Sequence, residues 1–192
     1  ENLDDEEIYH RVQILSLHGQ TKDALHKNKL GAWEYDILEP AYKCNMTDIM
    51  AGIGLAQIKR YPGMLKRRQA IIKKYEEKLK GHQVKTLNHN DTATNSISSG
   101  HLFIVRINGI DVETRNEIIV KMAERGIATN VHYKPLPMLT AYKNLGFDIK
   151  DYPNSFNFYK GEITLPLYTL LTDEQVEYII DNFVEILGEY NK

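Results

Sequence analysis

Cysteine is nearly missing from this chain: the 192 residues hold one, Cys44. A lone thiol excludes an internal disulfide framework and a cysteine-based zinc cluster, and it fits a reducing compartment, so a cytoplasmic location is expected. No run approaches the roughly 18 apolar positions of a membrane span, and the opening ENLDDEEIYH lacks the basic start and apolar centre of a signal peptide. A charge excess is missing too. Lys and Arg total 24 against 26 Asp and Glu, which leaves no global footprint for nucleic acid or an anionic membrane. No helix-turn-helix pattern is present. Any phosphate bound here must be held locally.

Familiar catalytic motifs are absent as well. Nothing matches a Walker loop, a GxGxxG fingerprint, a GxSxG elbow or an HExxH helix. The seven histidines, at 10, 18, 26, 82, 89, 101 and 132, give no i,i+4 pair and no cluster with Cys or Asp, so no metal site is expected. The chain opens directly on an acidic, helix-forming segment without an initiator methionine, which suggests a larger protein cut mid-course.

What is present can fill a core: 42% of residues are hydrophobic. Asp4 or Asp5 can start a helix carrying Ile8, Val12 and Leu15 at helical spacing, with His18-Gly19 as its stop. Residues 20–41 read as mostly irregular with one short strand. Thr47 caps a further helix, Asp48 sits favourably in its first turn, and Tyr61-Pro62-Gly63 ends it. A second helix then runs to about Lys80 with Leu65, Ile72 and Leu79 as its apolar seam. Its Lys66, Arg67, Arg68, Lys73 and Lys74 read as a solvated face.

Polar residues 81–100 read as a loop and a boundary. Beyond them, HLFIVRI (101–107), IATNVHY (127–133) and ITLPL (163–167) read as three short strands. Asp111 opens a helix bearing Ile118, Ile119 and Met122 that Gly126 closes. Thr172 to Gln175 is a capping box ahead of the stripe Val176, Ile179, Ile180, Phe183 and Leu187. The second half is thus a small α+β unit with helices on one side of its sheet.

Two places invite chemistry. In YKCNMTDIMAGIGLAQ (42–57), Lys43, Asn45 and Thr47 alternate along an extended approach to a helix start, where unpaired N–H groups favour an anion. The plain alternative is a capped helix whose Gly52 and Gly54 permit close packing. His132 stands in a predicted strand beside Tyr133, ahead of the rigid Lys134-Pro135-Leu136-Pro137; it is either a satisfied strand histidine or a hydrogen-bonding group at a cleft lip.

Six segments in this order resemble the C-terminal half of the DegT/DnrJ/StrS-type nucleotide-sugar aminotransferases: TKDA (21–24), WEYDILEPAYKCNMTDIMAGIGLAQIKR (33–60), RRQAIIKKYEEKL, HLFIVRI, ERGIATNVHYKPL and ITLPLYTLLTDEQV. The resemblance implies an α/β class, the C-terminal part of the type I pyridoxal-phosphate aminotransferase fold. Residues 1–61 would be a remnant of the large cofactor-binding domain with a dimer-facing loop and helix, 62–82 a connecting helix, and 83–192 a small α+β domain with a short, mostly antiparallel sheet.

The resemblance also implies a homodimer with composite active sites, no nucleic-acid or membrane partner, and pyridoxal 5'-phosphate as cofactor. Asn45 matches the family asparagine that contacts the partner subunit's cofactor phosphate. Many members read Tyr-Asn-Tyr-Arg where this chain has Tyr42-Lys43-Cys44-Asn45, so Lys43 and Asn45 exchange polar roles. His132 and Tyr133 match the family's strand-end pair near the sugar-nucleotide cleft, and His18-Gly19 matches a family His-Gly near the dimer interface. Trp33 and Tyr35 resemble the aromatic approach of members that aminate C4 of a 4-keto sugar, or serve interface packing. With His132 and Tyr133, the residues His18 and Trp33 are taken as the substrate-binding set.

No catalytic residue of the family matches here: its Schiff-base lysine and most phosphate ligands lie upstream of Glu1. The implied parent is a transaminase moving an amino group, with glutamate as the donor, to a nucleotide-linked keto sugar, leaning to a 4-keto-6-deoxy sugar, in polysaccharide or cell-surface sugar biosynthesis. The 192 residues alone are expected to be inactive. A sugar 3-dehydratase of the same family and a non-catalytic dimerisation or sensing module remain the alternatives.

Overall fold

A computed structural model describes residues 4–20, 36–44, 46–91, 93 and 96–190. The chain divides into two units, 1–59 and 60–192.

In the first unit, helix α1 (Asp5–Ser16) forms because Asp4 caps it. The Asp4 side chain accepts from the Glu6 and Glu7 N–H groups, and the Glu7 side chain accepts from the Asp4 N–H, completing a capping box. The helix stops where the sequence places its stop. His18 and Gly19 take positive φ of 60° and 78°, and the Gly19 N–H closes back onto the Ile14 carbonyl at 2.9 Å. Two stretches return alongside this end. Leu17 bridges Lys43 and Gln20 bridges Ile37, both antiparallel. Residues 21–35, which hold most of the predicted irregular segment, lie outside the described residues.

Helix α2 (Asp48–Leu79) starts in the first unit and ends in the second. The break expected at Tyr61-Pro62-Gly63 does not occur: α2 is one helix with Pro62 inside it. Proline removes a single i→i−4 bond. Residues 59–63 are all exposed, so the vacated Ile58 carbonyl can be solvated instead of stranded. In the second unit the apolar seam is wider than the seven-residue repeat suggests, since Ile71 and Tyr75 are buried along with Ile72 and Leu79.

The second unit is built on an antiparallel sheet ordered β1 (Val84–Thr86), β4 (Phe103–Ile107), β5 (Glu162–Leu165). A small ribbon of β2 (Asn90–Asp91) and β3 (Ser96–Ile97) joins β1 to β4. Residues 81–100, read as loop, therefore carry three short strands. Conversely, 127–133 is not a strand: only Asn130 pairs, with Thr164. Side chains take the donors a ladder would need, because Asn130 Oδ1 accepts from the Val131 N–H and Glu162 Oε2 from the His132 N–H.

The pairs Phe103↔Leu165 and Val105↔Ile163 occupy one face of the sheet and Ile104↔Thr164 and Arg106↔Glu162 the other. The first face meets α2, α3 (Val112–Glu124) and α6 (Asp173–Tyr190) in a core that includes Tyr75, Ile118, Met122, Ile180 and Phe183. The predicted caps stand: Asp111 Oδ1 accepts from the Thr114 N–H, and Thr172 and Gln175 form their capping box. Every residue of the predicted α6 stripe is buried. Arg67 and Lys74, read as part of a solvated face, instead meet α6 through Asp173 at 2.7 and 3.2 Å. Short helices α4 (Thr140–Asn144) and α5 (Pro153–Tyr159) fill the connection before β5. No helix among the described residues is long and apolar enough to cross a membrane.

Candidate functional site

The second face of the sheet carries the polar chemistry. Because β5 alternates, Glu162 and Thr164 project together, away from the Ile163 and Leu165 side chains in the core. Segment 130–132 lies over them, held by mutual backbone bonds between Asn130 and Thr164 of 3.2 and 2.8 Å. His132 Nδ1 comes within 2.9 Å of Thr164 Oγ1, which donates to Glu162 Oε1 at 2.8 Å; Glu162 Oε2 accepts from the His132 N–H at 2.9 Å. The result is a closed ring of contacts with a carboxylate at its base. The next peptide, His132–Tyr133, is cis, and Tyr133 is 75% exposed with its ring edge-on to the imidazole at 4.8 Å.

Glu162 is 1% exposed, so its charge stands almost wholly out of water. Burial pushes its carboxyl above the ordinary glutamate range; the Thr164 hydroxyl, the His132 N–H and the charges of His132 and Arg115 pull it back without offsetting that. Arg115 is itself 1% exposed. Its guanidinium donates to the Tyr159 and Glu162 carbonyls at 3.2 and 3.0 Å and to Asn116 Oδ1 at 2.9 Å, and lies 4.7 Å over the Tyr159 ring. The cation thus fastens the end of α5 to the start of β5.

In the first unit, His18 and Lys43 come together through backbone. The His18 N–H donates to the Tyr42 carbonyl at 3.0 Å and the Cys44 N–H to the Ser16 carbonyl at 2.9 Å. His18, Tyr42, Lys43 and Cys44 are all exposed. Helix α2 opens a few residues on, with Thr47 Oγ1 3.4 Å from the Met50 N–H. An exposed ammonium ahead of a helix start is a donor set that fits a phosphate ester. Asn45, Trp33 and Tyr35 lie outside the described residues.

Sequence reasoning picked out His132 but missed the residues under it. The alternation Glu162-Ile163-Thr164-Leu165 carried the signal, since any strand places its first and third residues on one face. Arg115 was legible too. It stands three and seven residues before Ile118 and Met122, on the stripe that α3 buries.

A family model for the DegT/DnrJ/EryC1/StrS aminotransferase family matches residues 2–184. The chain belongs to this family. It is 34% identical over 191 residues to the spore coat polysaccharide biosynthesis protein SpsC of Bacillus subtilis, covering 96% of this chain and 48% of the relative. It is 27% identical to the UDP-4-amino-4,6-dideoxy-N-acetyl-beta-L-altrosamine transaminase of Campylobacter jejuni, covering 98% of this chain and 48% of that one. Among solved structures, a sugar aminotransferase of Streptococcus pneumoniae in its PMP form superposes with a TM-score of 0.81 at 56% identity, over 97% of this chain and 46% of that one. The chain spans about half the length of the curated relatives it matches. The solved neighbours include a PLP form, in line with a pyridoxal-phosphate-dependent family.

Proposed function

We propose that these residues form the C-terminal portion of a pyridoxal-phosphate-dependent aminotransferase that passes an amino group from glutamate to a nucleotide-linked 4-keto-6-deoxy sugar. In this reading the enzyme serves polysaccharide or cell-surface sugar biosynthesis and works as a homodimer with composite active sites. Pyridoxal phosphate, when bound, supplies the electron sink for the reaction. Lys43 and Asn45 would meet its phosphate across the subunit boundary. His18, Trp33, His132 and Tyr133 would contact the sugar nucleotide. The observation that carries the reading is the imidazole of His132, held by the Thr164 hydroxyl above the buried Glu162 carboxylate and set beside an exposed tyrosine. A group so preorganised suits ligand recognition more than core packing, which would not need a buried charge.

The test is to incubate the full-length protein with glutamate and a UDP-linked 4-keto-6-deoxy hexose. One amino sugar and one 2-oxoglutarate should form per turnover, and none with the 192 residues alone. His132→Ala should raise KM for the sugar nucleotide on the order of tenfold, the equivalent of one lost hydrogen bond of about 1.5 kcal/mol. A deaminated or dehydrated sugar as the sole product, or no turnover, would end this reading.

A further inference from the structure

The contacts beneath His132 have a direction. An ionised carboxylate only accepts hydrogen bonds, and Glu162 uses both oxygens, Oε2 for the His132 N–H at 2.9 Å and Oε1 for the Thr164 hydroxyl at 2.8 Å. Threonine has one hydroxyl hydrogen, and it points at Glu162. Toward the imidazole, 2.9 Å away, Thr164 Oγ1 can therefore only accept. The proton between them must belong to Nδ1. Among the described residues Nε2 takes no hydrogen-bond partner.

We propose that Glu162 is a positioning residue that sets the tautomer of His132, acting through Thr164 to keep the neutral ring's proton on Nδ1 and Nε2 bare. Nε2 then meets the ligand as an acceptor. The ligand atom facing it is a donor, a sugar hydroxyl or an amide N–H, and not a phosphate oxygen. This second statement rests on the reading of His132 as a sugar-nucleotide contact; the tautomer itself does not.

Replacing Glu162 with its neutral isostere reverses the polarity without removing the contacts. In Glu162→Gln the amide oxygen stays opposite the His132 N–H, which needs an acceptor, so the amide NH2 faces Thr164 Oγ1. The hydroxyl must then donate to Nδ1, and the ring proton moves to Nε2. Thr164→Val cuts the link, whereas Thr164→Ser keeps it.

The experiment is 15N NMR of full-length protein labelled selectively at histidine, at a pH where the ring is neutral, with His132 assigned by its loss in His132→Asn. The wild type and Thr164→Ser should show a protonated, pyrrole-type Nδ1 and a bare, pyridine-type Nε2. Those two shifts should exchange in Glu162→Gln, and move to averaged values in Thr164→Val, which decides the matter if Glu162→Gln does not fold. A protonated Nε2 in the wild type, or unchanged shifts in the folded variants, overturns the proposal. In active enzyme, Glu162→Gln should raise KM for the sugar nucleotide about tenfold with kcat nearly kept; an unchanged KM beside exchanged shifts overturns the donor assignment. Exchanged shifts in a protein that never turns over a sugar nucleotide would sink the functional reading and leave the tautomer standing.

Discussion

A methyl group at position 19 would have nowhere to go. A Cβ placed there lies 2.1 Å from the Glu39 carbonyl oxygen, and the residue already sits at φ 78°. The left-handed conformation costs an L-residue about 1–2 kcal/mol before any clash is counted. Gly19→Ala should therefore destabilise the first unit by roughly 2–4 kcal/mol, read as earlier urea unfolding or faster proteolysis near residues 14–20. At Glu162 the expectation concerns pH. Its folded carboxyl binds a proton more tightly than the unfolded one, whose ordinary value is 4.5. Stability from this group is thus complete below that value and is lost as pH rises through the higher folded one. Glu162→Gln should lack the slope, so denaturation midpoints of wild type and variant should diverge, to the wild type's disadvantage, from pH 4.5 upward.

Elements differed in how much of themselves the sequence displayed. Helix α6 was readable from its start along its buried side, because its cap and its stripe are local and agree. Thr172→Ala should cost about 1 kcal/mol, measurable as a shift in denaturation midpoint. β4 was readable for the same kind of reason, a compact apolar run with both faces covered. The segment 127–133 misled because its alternation is genuine while its backbone donors are claimed by Asn130 and Glu162 side chains, one of them 30 residues away in sequence. Pro62 misled in the other direction, since whether a proline ends a helix depends on what becomes of one carbonyl. Long-range polar contacts of this sort leave no periodic trace. The Tyr75 hydroxyl, 2.8 Å from the Pro166 carbonyl, is another. Burial raises the phenol's affinity for its proton, and Tyr75→Phe should cost about 0.5–1.5 kcal/mol in thermal or chemical unfolding.

At the scale of the molecule, the first half of α2 is the conspicuous surface. Ile49, Met50, Ile53, Leu55 and Ile58 are each at least 59% exposed, and at Gly52 and Gly54 a methyl group would find nothing within 4 Å. Of these, Ile49, Met50 and Ile53 share one side of the helix; large apolar side chains left in water suit an interface, and the proposed homodimer gives them a use. The double change Ile49→Asp, Ile53→Asp in the full-length protein should shift its mass in solution from dimer to monomer, measured by light scattering on a sizing column. Cys44 offers a second way to watch the same event. It is exposed, its backbone is anchored to Ser16, and it directly precedes Asn45. A dye coupled to this sulfur would report on a neighbouring polypeptide arriving at the loop, by quenching or energy transfer, so these 192 residues bring their own labelling handle to the boundary they are proposed to cross.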